Sequence, residues 1–73
     1  MNFEDALKYI KRGNRAKRKD WPTAFIEHHE RKAYGYPTIR YNWRRDNKNL
    51  TRVWTPSVED ILANDWIVYL EVQ

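Results

Sequence analysis

The absence of cysteine is the sequence feature that most limits how this chain can fold. We expect its 73 residues to form one domain, residues 1–73, and a chain this short buries only about 60% of its unfolded surface. No disulfide or thiolate-bound metal can add stability, so side-chain packing must hold the fold together. Because mean hydropathy is only −1.01 but 15% of residues are aromatic, we expect aromatic rings to dominate a thin core that an oligomer completes.

Targeting and membrane signals are missing from the sequence. The N-terminal segment MNFEDALKYIKRG has acidic residues near its start and no long apolar run, unlike a secretory signal. No stretch of about 18 apolar residues occurs that would span a bilayer. A chain without cysteine also suits a reducing compartment. These features predict a cytoplasmic protein without a membrane partner.

The charge of the chain predicts an anionic partner. The formal net charge is +4 and the isoelectric point is about 9.6. The basic residues are concentrated towards one end, in Lys8, Lys11, Arg12, Arg15, Lys17, Arg18 and Lys19. Such a surface attracts phosphate, whether it belongs to a nucleic acid or to a small molecule.

An amphipathic helix is predicted at residues 3–12. Asn2 is suited to the N-cap, and the acidic residues in the first turn interact favourably with the helix dipole. The apolar residues have helical spacing, at Phe3, Ala6, Leu7 and Ile10. Gly13 and Asn14 supply a C-terminal stop.

Four short strands and a second helix are predicted next. The strands are expected at residues 15–21, 24–30, 38–44 and 52–55, with a hairpin loop at 45–49. The second helix starts with a capping box, in which Ser57 and Asp60 bond backbone N–H groups of the first turn. Its expected buried face consists of Val58, Ile61 and Leu62, and Asn64 is expected to end it.

Alternation of apolar residues predicts which strand faces are buried. Ile39, Tyr41 and Trp43 share one side of the third of these strands. A last strand at residues 66–72 has Trp66 and Val68 on its core side. The chain order is therefore αββββαβ, which predicts an α+β domain on an antiparallel sheet of four to five strands.

Three tryptophans are candidates for core packing and for ligand contact. Trp66 leads an alternating strand, a position typical of the core. Trp54 lies at a strand-to-helix junction, where packing and contact with an anion both stay open. Trp21 shares a face of its predicted strand with Lys17 and Lys19. That face suits either base stacking with phosphate neutralisation or a solvated edge strand.

The sequence does not favour a metal site or catalysis. His28 and His29 are adjacent on a predicted strand and so point to opposite faces, which prevents them from chelating one ion. Ser57, the only serine, has a capping role, and no thiol or recognisable triad is present. We therefore expect no catalytic residue, no metal and no cofactor.

Both ends of the chain resemble the Thoeris anti-defence two family of small phage and prophage proteins. The N-terminal helix matches at Met1, Phe3, Ala6 and Leu7, and the first strand matches at Arg18, Lys19 and Trp21. The most specific match, in WTPSVEDILANDW, consists of Trp54, Pro56, Ser57, Asp60, Ile61, Leu62, Ala63, Asp65 and Trp66. The matching ends cover over half of the chain, and residues 22–53 match only in general layout.

The resemblance implies a non-enzymatic sponge acting in the bacterial host cytoplasm. Such proteins sequester, without cleaving it, a cyclic nucleotide immune signal, typically a glycocyclic ADP-ribose and for some members a cyclic dinucleotide. It also implies a homo-oligomer, a dimer or a tetramer, with the site at a subunit interface. The ligand-binding residues expected on this basis are Arg18, Trp21, Trp54, Ser57 and Asp60.

Three residues near these positions depart from the family pattern. Asp20 stands where glycine is common and places a carboxylate beside Trp21. Pro22 tightens the following loop, and Val58 stands where glutamine is common. These differences concern the ligand more than the fold.

Two other functions are consistent with the sequence. One is nucleic-acid binding by the basic cluster at residues 8–19 and nearby aromatic residues, for which affinity would fall steeply with salt. Against it, 10 acidic residues offset the positive charge and no groove-reading helix is evident. The other is direct inhibition of a host defence enzyme by protein binding.

Overall fold

The predicted order of elements, αββββαβ, is confirmed. The computed structural model describes residues 1–29 and 38–69. The elements in chain order are helix α1 (Phe3–Lys11), strands β1 (Arg15–Arg18), β2 (Phe25–His29), β3 (Thr38–Arg45) and β4 (Lys48–Val53), helix α2 (Val58–Leu62) and strand β5 (Trp66–Tyr69). The ends of two predicted strands, residue 30 and residues 70–72, lie outside the described residues.

The five strands form one antiparallel sheet in the order β4-β3-β2-β1-β5. The last strand therefore returns to lie beside the first. Ala16 on β1 pairs with Ile26 on one side and with Val68 on the other. Helix α1 packs across β1, β2 and β5, so one face of the sheet is the core face and the domain is α+β, as predicted.

Both ends of α1 follow from local side-chain and backbone chemistry. The Asn2 side chain accepts a hydrogen bond from the Asp5 N–H at 2.9 Å, the N-cap predicted from the sequence. At the other end Gly13 has φ +94°, a conformation that glycine adopts without steric cost. The N–H groups of Gly13 and Asn14 donate to the carbonyls of Ile10 and Tyr9, each at 3.0 Å, which completes a Schellman cap.

The hairpin between β3 and β4 is tighter than predicted. Its strands pair up to Arg45 and Lys48, so the loop is the dipeptide Asp46–Asn47 rather than residues 45–49. Both residues have positive φ, 50° and 62°, as a type I′ turn requires, and aspartate and asparagine tolerate this conformation. The twist of such a turn matches that of the paired strands, so pairing continues up to the turn. Strand β4 therefore starts at Lys48 rather than at residue 52.

The core is small and centres on Trp66, as predicted. Trp66 is 0% exposed and packs against the ring of Phe3 with centroids 5.4 Å apart. The other buried members of this cluster are Ala6, Ile10, Ala16 and Ile26. Ile39 and Tyr41 pack against this cluster from β3, which is consistent with the face predicted for that strand.

The predicted buried face of α2 is wrong. Val58, Ile61 and Leu62 are 71%, 45% and 72% exposed. Helix α2 has only five residues and ends at Ala63, whose backbone is extended, rather than at Asn64. A helix of little more than one turn is too short to present an apolar stripe to the sheet. Polar contacts around Asp60 hold it in place instead.

Among the described residues, no helix is both long and apolar enough to cross a membrane.

Candidate functional site

The residues expected to bind a ligand are gathered around the buried ring of Trp66. Trp21 meets Trp66 edge-on with centroids 5.3 Å apart, and Trp54 does so at 6.0 Å. The indole N–H of Trp66 donates to the backbone carbonyl of Asp60 at 2.8 Å. Folding of one chain therefore brings the segment containing Trp21 and the segment containing Trp54 to the same place.

Ser57 and Asp60 form the predicted capping box. The Asp60 N–H donates to the Ser57 hydroxyl at 3.1 Å, and the Ser57 N–H donates to Asp60 Oδ2 at 3.4 Å. The other carboxylate oxygen of Asp60 accepts from Arg18 Nη1 at 3.2 Å. Asp60 thus joins the start of α2 to β1, in addition to its contact with Trp66.

Arg18 is held by two carboxylates, one of which the sequence reasoning did not assign to the site. Its Nε and Nη2 donate to the two oxygens of Asp65 at 2.9 and 3.3 Å, a bidentate pair. Asp65 directly precedes Trp66, which pairs with Arg18 across β1 and β5. The position of Asp65 next to the predicted last strand could be read from the sequence. That this strand pairs with β1, and so brings Asp65 to Arg18, could not be predicted from spacing.

These contacts set the ionisation of the pair. The hydrogen bond from Arg18 is the main reason that the pKa of Asp65 lies below its usual value of 3.8. Hydrogen bonds to Asp65 and then Asp60 raise the pKa of Arg18. Three of the five N–H donors of the guanidinium are engaged in these bonds.

Trp21 does not lie on the basic face where the sequence placed it. Strand β1 ends at Arg18, and the chain turns at Lys19 and Asp20, so that the Trp21 N–H donates to the Arg18 carbonyl at 3.0 Å. This turn breaks the strand alternation, and Lys17 contacts Trp21 in another way, since its ammonium group donates to the Trp21 carbonyl at 2.6 Å. The half-buried indole packs edge-on against Tyr41 as well, at 5.4 Å.

Trp54 is half-buried and packs against the core. Core packing was one of the two roles that the sequence left open for it. Its ring lies 5.6 Å from that of Phe3, and its backbone N–H donates to the Ile39 carbonyl at 2.8 Å. Because the ring is only partly covered, packing leaves part of its surface available. The three residues that differ from the family pattern are all exposed: Asp20, Pro22 and Val58.

The histidines lie on opposite faces of β2, as predicted. His28 pairs with Ile39 and His29 with Thr38. His29 Nε2 lies 3.8 Å from the Glu27 carboxylate. Within residues 1–29 and 38–69, no three side chains of the metal-binding types form a cluster that could hold an ion.

Two concave surfaces formed by described residues lie away from Trp21 and Trp54. A groove of about 510 Å³ runs over the sheet face opposite α1 and is lined in part by Arg15, Phe25, Asn42 and Tyr69. A smaller one of about 280 Å³ lies along α1, between Lys8 and Arg12. The sequence reasoning identified neither of them.

The similarity of this chain to a known family extends beyond its two ends. The family model of the Tad2-like domain, the Thoeris anti-defense 2-like domain, matches residues 1–69. The chain belongs to the Tad2-like family. The match includes the middle of the chain, where the motifs alone showed only a general layout. Membership assigns this Tad2-like chain to anti-defence of the Thoeris type. No curated protein matches it.

The stability of the Tad2-like domain is expected to depend on pH through Asp65. Because the folded-state pKa of Asp65 is lowered, the pair with Arg18 contributes stability above the ordinary carboxyl pKa, and this contribution is lost as the pH falls through the lowered value. We expect Tm to fall more steeply for the wild type than for Asp65→Asn between about pH 6 and pH 2. Thermal melts followed by circular dichroism measure this difference.

The matched control is Asp46→Asn, since the Asp46 side chain is 91% exposed and 4.0 Å from its nearest basic partner. Its Tm should follow the wild type at every pH. Parallel curves for wild type and Asp65→Asn would show that the pair does not stabilise the fold.

Proposed function

We propose that this Tad2-like domain is a non-enzymatic sponge that binds a cyclic nucleotide immune signal and sequesters it without cleaving it. The proposed signal is of the glycocyclic ADP-ribose class or is a cyclic dinucleotide. One observation carries the proposal: the five expected ligand-binding residues, from two distant segments, converge on Trp66 within one chain. Membership of an anti-defence family supports the proposal.

The chemistry of the cluster suits such a ligand. The half-buried rings of Trp21 and Trp54 offer apolar surface for a purine. Arg18 has N–H donors that Asp60 and Asp65 leave free, and these are suited to the pyrophosphate. The carboxylates accept hydrogen bonds from ribose hydroxyls. A binding role of this kind needs no nucleophile or general base, so sequestration is the simplest function of the cluster.

A second copy of the chain is proposed to complete the site. The exposed apolar side chains of α2, Val58, Ile61 and Leu62, lie on the same short helix as Asp60. Contiguous exposed apolar residues are typical of interaction surfaces. Covering them with a partner subunit, in a dimer or tetramer, would also enclose a ligand at Asp60. A sponge has to outcompete the signal's receptor, so we expect a nanomolar Kd, about −12 kcal/mol.

The direct test is a thermal-shift panel with the purified protein. The panel holds cyclic ADP-ribose isomers, cyclic dinucleotides, NAD and a short single-stranded DNA. A ligand at a thousandfold above Kd stabilises the fold by about 4 kcal/mol, which raises Tm by well over 10 °C in a domain of this size. We expect one cyclic species to give this shift and to be recovered intact after heating.

A conservative variant locates the site without removing the core. Trp21→Phe keeps a ring against Trp66 and should weaken binding about tenfold, because part of the apolar platform is lost. Trp43→Phe is the control: Trp43 contacts Tyr41 at 5.5 Å but none of the five residues of the cluster in any described ring contact. Equal weakening in both variants would move the site away from Trp21.

The remaining outcomes distinguish the alternative functions. Conversion of the cyclic species to a product would indicate an enzyme. A shift with single-stranded DNA alone would favour the nucleic-acid binder. No shift with any member of the panel would contradict the sponge and favour direct inhibition of a host defence enzyme.

A further inference from the structure

The cluster around Trp66 has too little positive charge for the phosphates of the proposed ligand. Arg18 is bonded to both Asp60 and Asp65, so the two carboxylates outweigh the one guanidinium. A cyclic ADP-ribose or a cyclic dinucleotide brings further negative charge to the same place. Because like charges disfavour binding, a cation from another part of the chain has to supply the attraction.

The hairpin of β3 and β4 lies beside this cluster. Tyr41 on β3 packs against the core, and its ring meets that of Trp21 edge-on with centroids 5.4 Å apart. Arg52 on β4 is the cross-strand partner of Tyr41, and side chains paired in this way lie on the same face of a sheet. Arg52 therefore lies on the side of the sheet that contains Tyr41 and Trp21.

Two aromatic rings hold the guanidinium of Arg52. Its Cζ lies 5.2 Å from the Tyr41 centroid and 5.5 Å from the Trp43 centroid. Such cation–π contacts orient a guanidinium without using its N–H donors. Within residues 1–29 and 38–69, no ion pair or side-chain hydrogen bond involves Arg52, and the residue is exposed. Its donors are thus available to a ligand.

Arg52 is the hairpin cation best placed to reach a ligand on Trp21. The Trp21 ring and the Arg52 guanidinium both contact the ring of Tyr41, so one tyrosine separates an aromatic surface from a cation. A nucleotide spans such a distance between its base and its phosphate. The other cations on this side of the hairpin, Arg45 and Lys48, pair with each other next to the turn, farther from Tyr41.

We infer that Arg52 binds a phosphate of the cyclic nucleotide, an inference that rests on the proposed function. Its planar fork can donate two hydrogen bonds to one phosphate while the base packs against Trp21. The rings of Tyr41 and Trp43 restrain the guanidinium beforehand, which lowers the entropy lost on binding. Charge recognition then belongs to Arg52, and Arg18 contributes hydrogen bonds from its remaining donors.

The test is isothermal titration calorimetry with the cyclic ADP-ribose isomers and cyclic dinucleotides of the thermal-shift panel. Arg52→Gln should weaken binding about 10–100-fold, the range for a hydrogen bond to a charged group. Arg52→Lys keeps the charge but not the fork, so its loss should be intermediate. Added salt should weaken the wild type more than Arg52→Gln, because screening acts on the charge that the variant lacks. A purely structural role would leave this salt dependence unchanged.

Lys48→Gln is the matched control. It removes the same charge from the same side of the same strand, at an exposed position beside the turn, and should leave the Kd within about twofold. Trp43→Phe, the control of the sponge assay, keeps a ring beside Arg52 and should also stay within about twofold. The unliganded Tm shows whether each variant is folded.

The opposite results separate this inference from the sponge function. A wild-type Kd and salt dependence in Arg52→Gln would overturn the role of Arg52 and leave the sponge function standing. Equal weakening by Lys48→Gln would indicate general attraction to a basic protein and would overturn it too. If the wild type binds no member of the panel, both the sponge function and this inference are wrong.

Discussion

Trp66→Ala is expected to lower the free energy of unfolding of this domain by several kcal/mol. The side chain is 0% exposed and contacts the rings of Phe3, Trp21 and Trp54. Removing a buried tryptophan costs about 3–5 kcal/mol. At about 0.05–0.15 kcal/mol per residue, a chain of 73 residues has a free energy of unfolding of roughly 4–11 kcal/mol. The substitution therefore removes a large part of it.

Urea denaturation followed by near-ultraviolet circular dichroism measures this loss. Trp66→Phe is the graded comparison: it keeps a ring in the core but removes the indole N–H that bonds the Asp60 carbonyl at 2.8 Å. Its denaturation midpoint should lie between those of the wild type and the alanine variant. A wild-type midpoint for Trp66→Ala would show that the core does not depend on this ring.

Under the proposed function, Val58→Lys combined with Leu62→Lys is expected to convert the proposed oligomer to monomers and to abolish the proposed nanomolar binding of a cyclic nucleotide. These side chains are 71% and 72% exposed, so lysine at either position leaves the folded monomer intact. In a subunit interface the same lysines would be buried without partners, which is strongly unfavourable. Added positive charge by itself favours an anionic ligand, so a loss of binding would point to lost assembly.

Light scattering coupled to size-exclusion chromatography gives the mass, and the thermal-shift panel gives the binding. Val53→Lys is the control, since Val53 is also exposed, at 46%, but lies on β4 rather than on α2. It should retain both assembly and binding. An unchanged oligomer in the α2 variant would place the interface elsewhere on the chain, and a wild-type monomer would contradict the proposed assembly.

Local chemistry explains which parts of this fold were predictable. The N-cap at Asn2, the glycine stop at Gly13 and the capping box of Ser57 with Asp60 each involve residues within one turn of each other. Such signals are readable from spacing because the contact is made wherever the helix forms. Alternation likewise predicted the buried side of Trp66, since neighbouring strand residues point to opposite faces.

Short elements limited the same reasoning. Apolar spacing predicted that α2 buries Val58, Ile61 and Leu62, but a five-residue helix is positioned by polar contacts to Asp60 instead. The predicted strand at residues 15–21 assumed continued alternation, which the turn after Arg18 breaks. In both cases the pattern covered too few residues to outweigh contacts made with distant parts of the chain.

By itself, the sequence determined the helices, the strands, their order and the central position of Trp66, because these depend on side chains a few residues apart. Only the tertiary structure decided that Arg18 binds Asp60 and Asp65, which are 42 and 47 residues away. It also decided that Trp21 joins Trp54 around Trp66. These facts depend on which strands pair and in which register, and that choice is made by the packing of the whole domain.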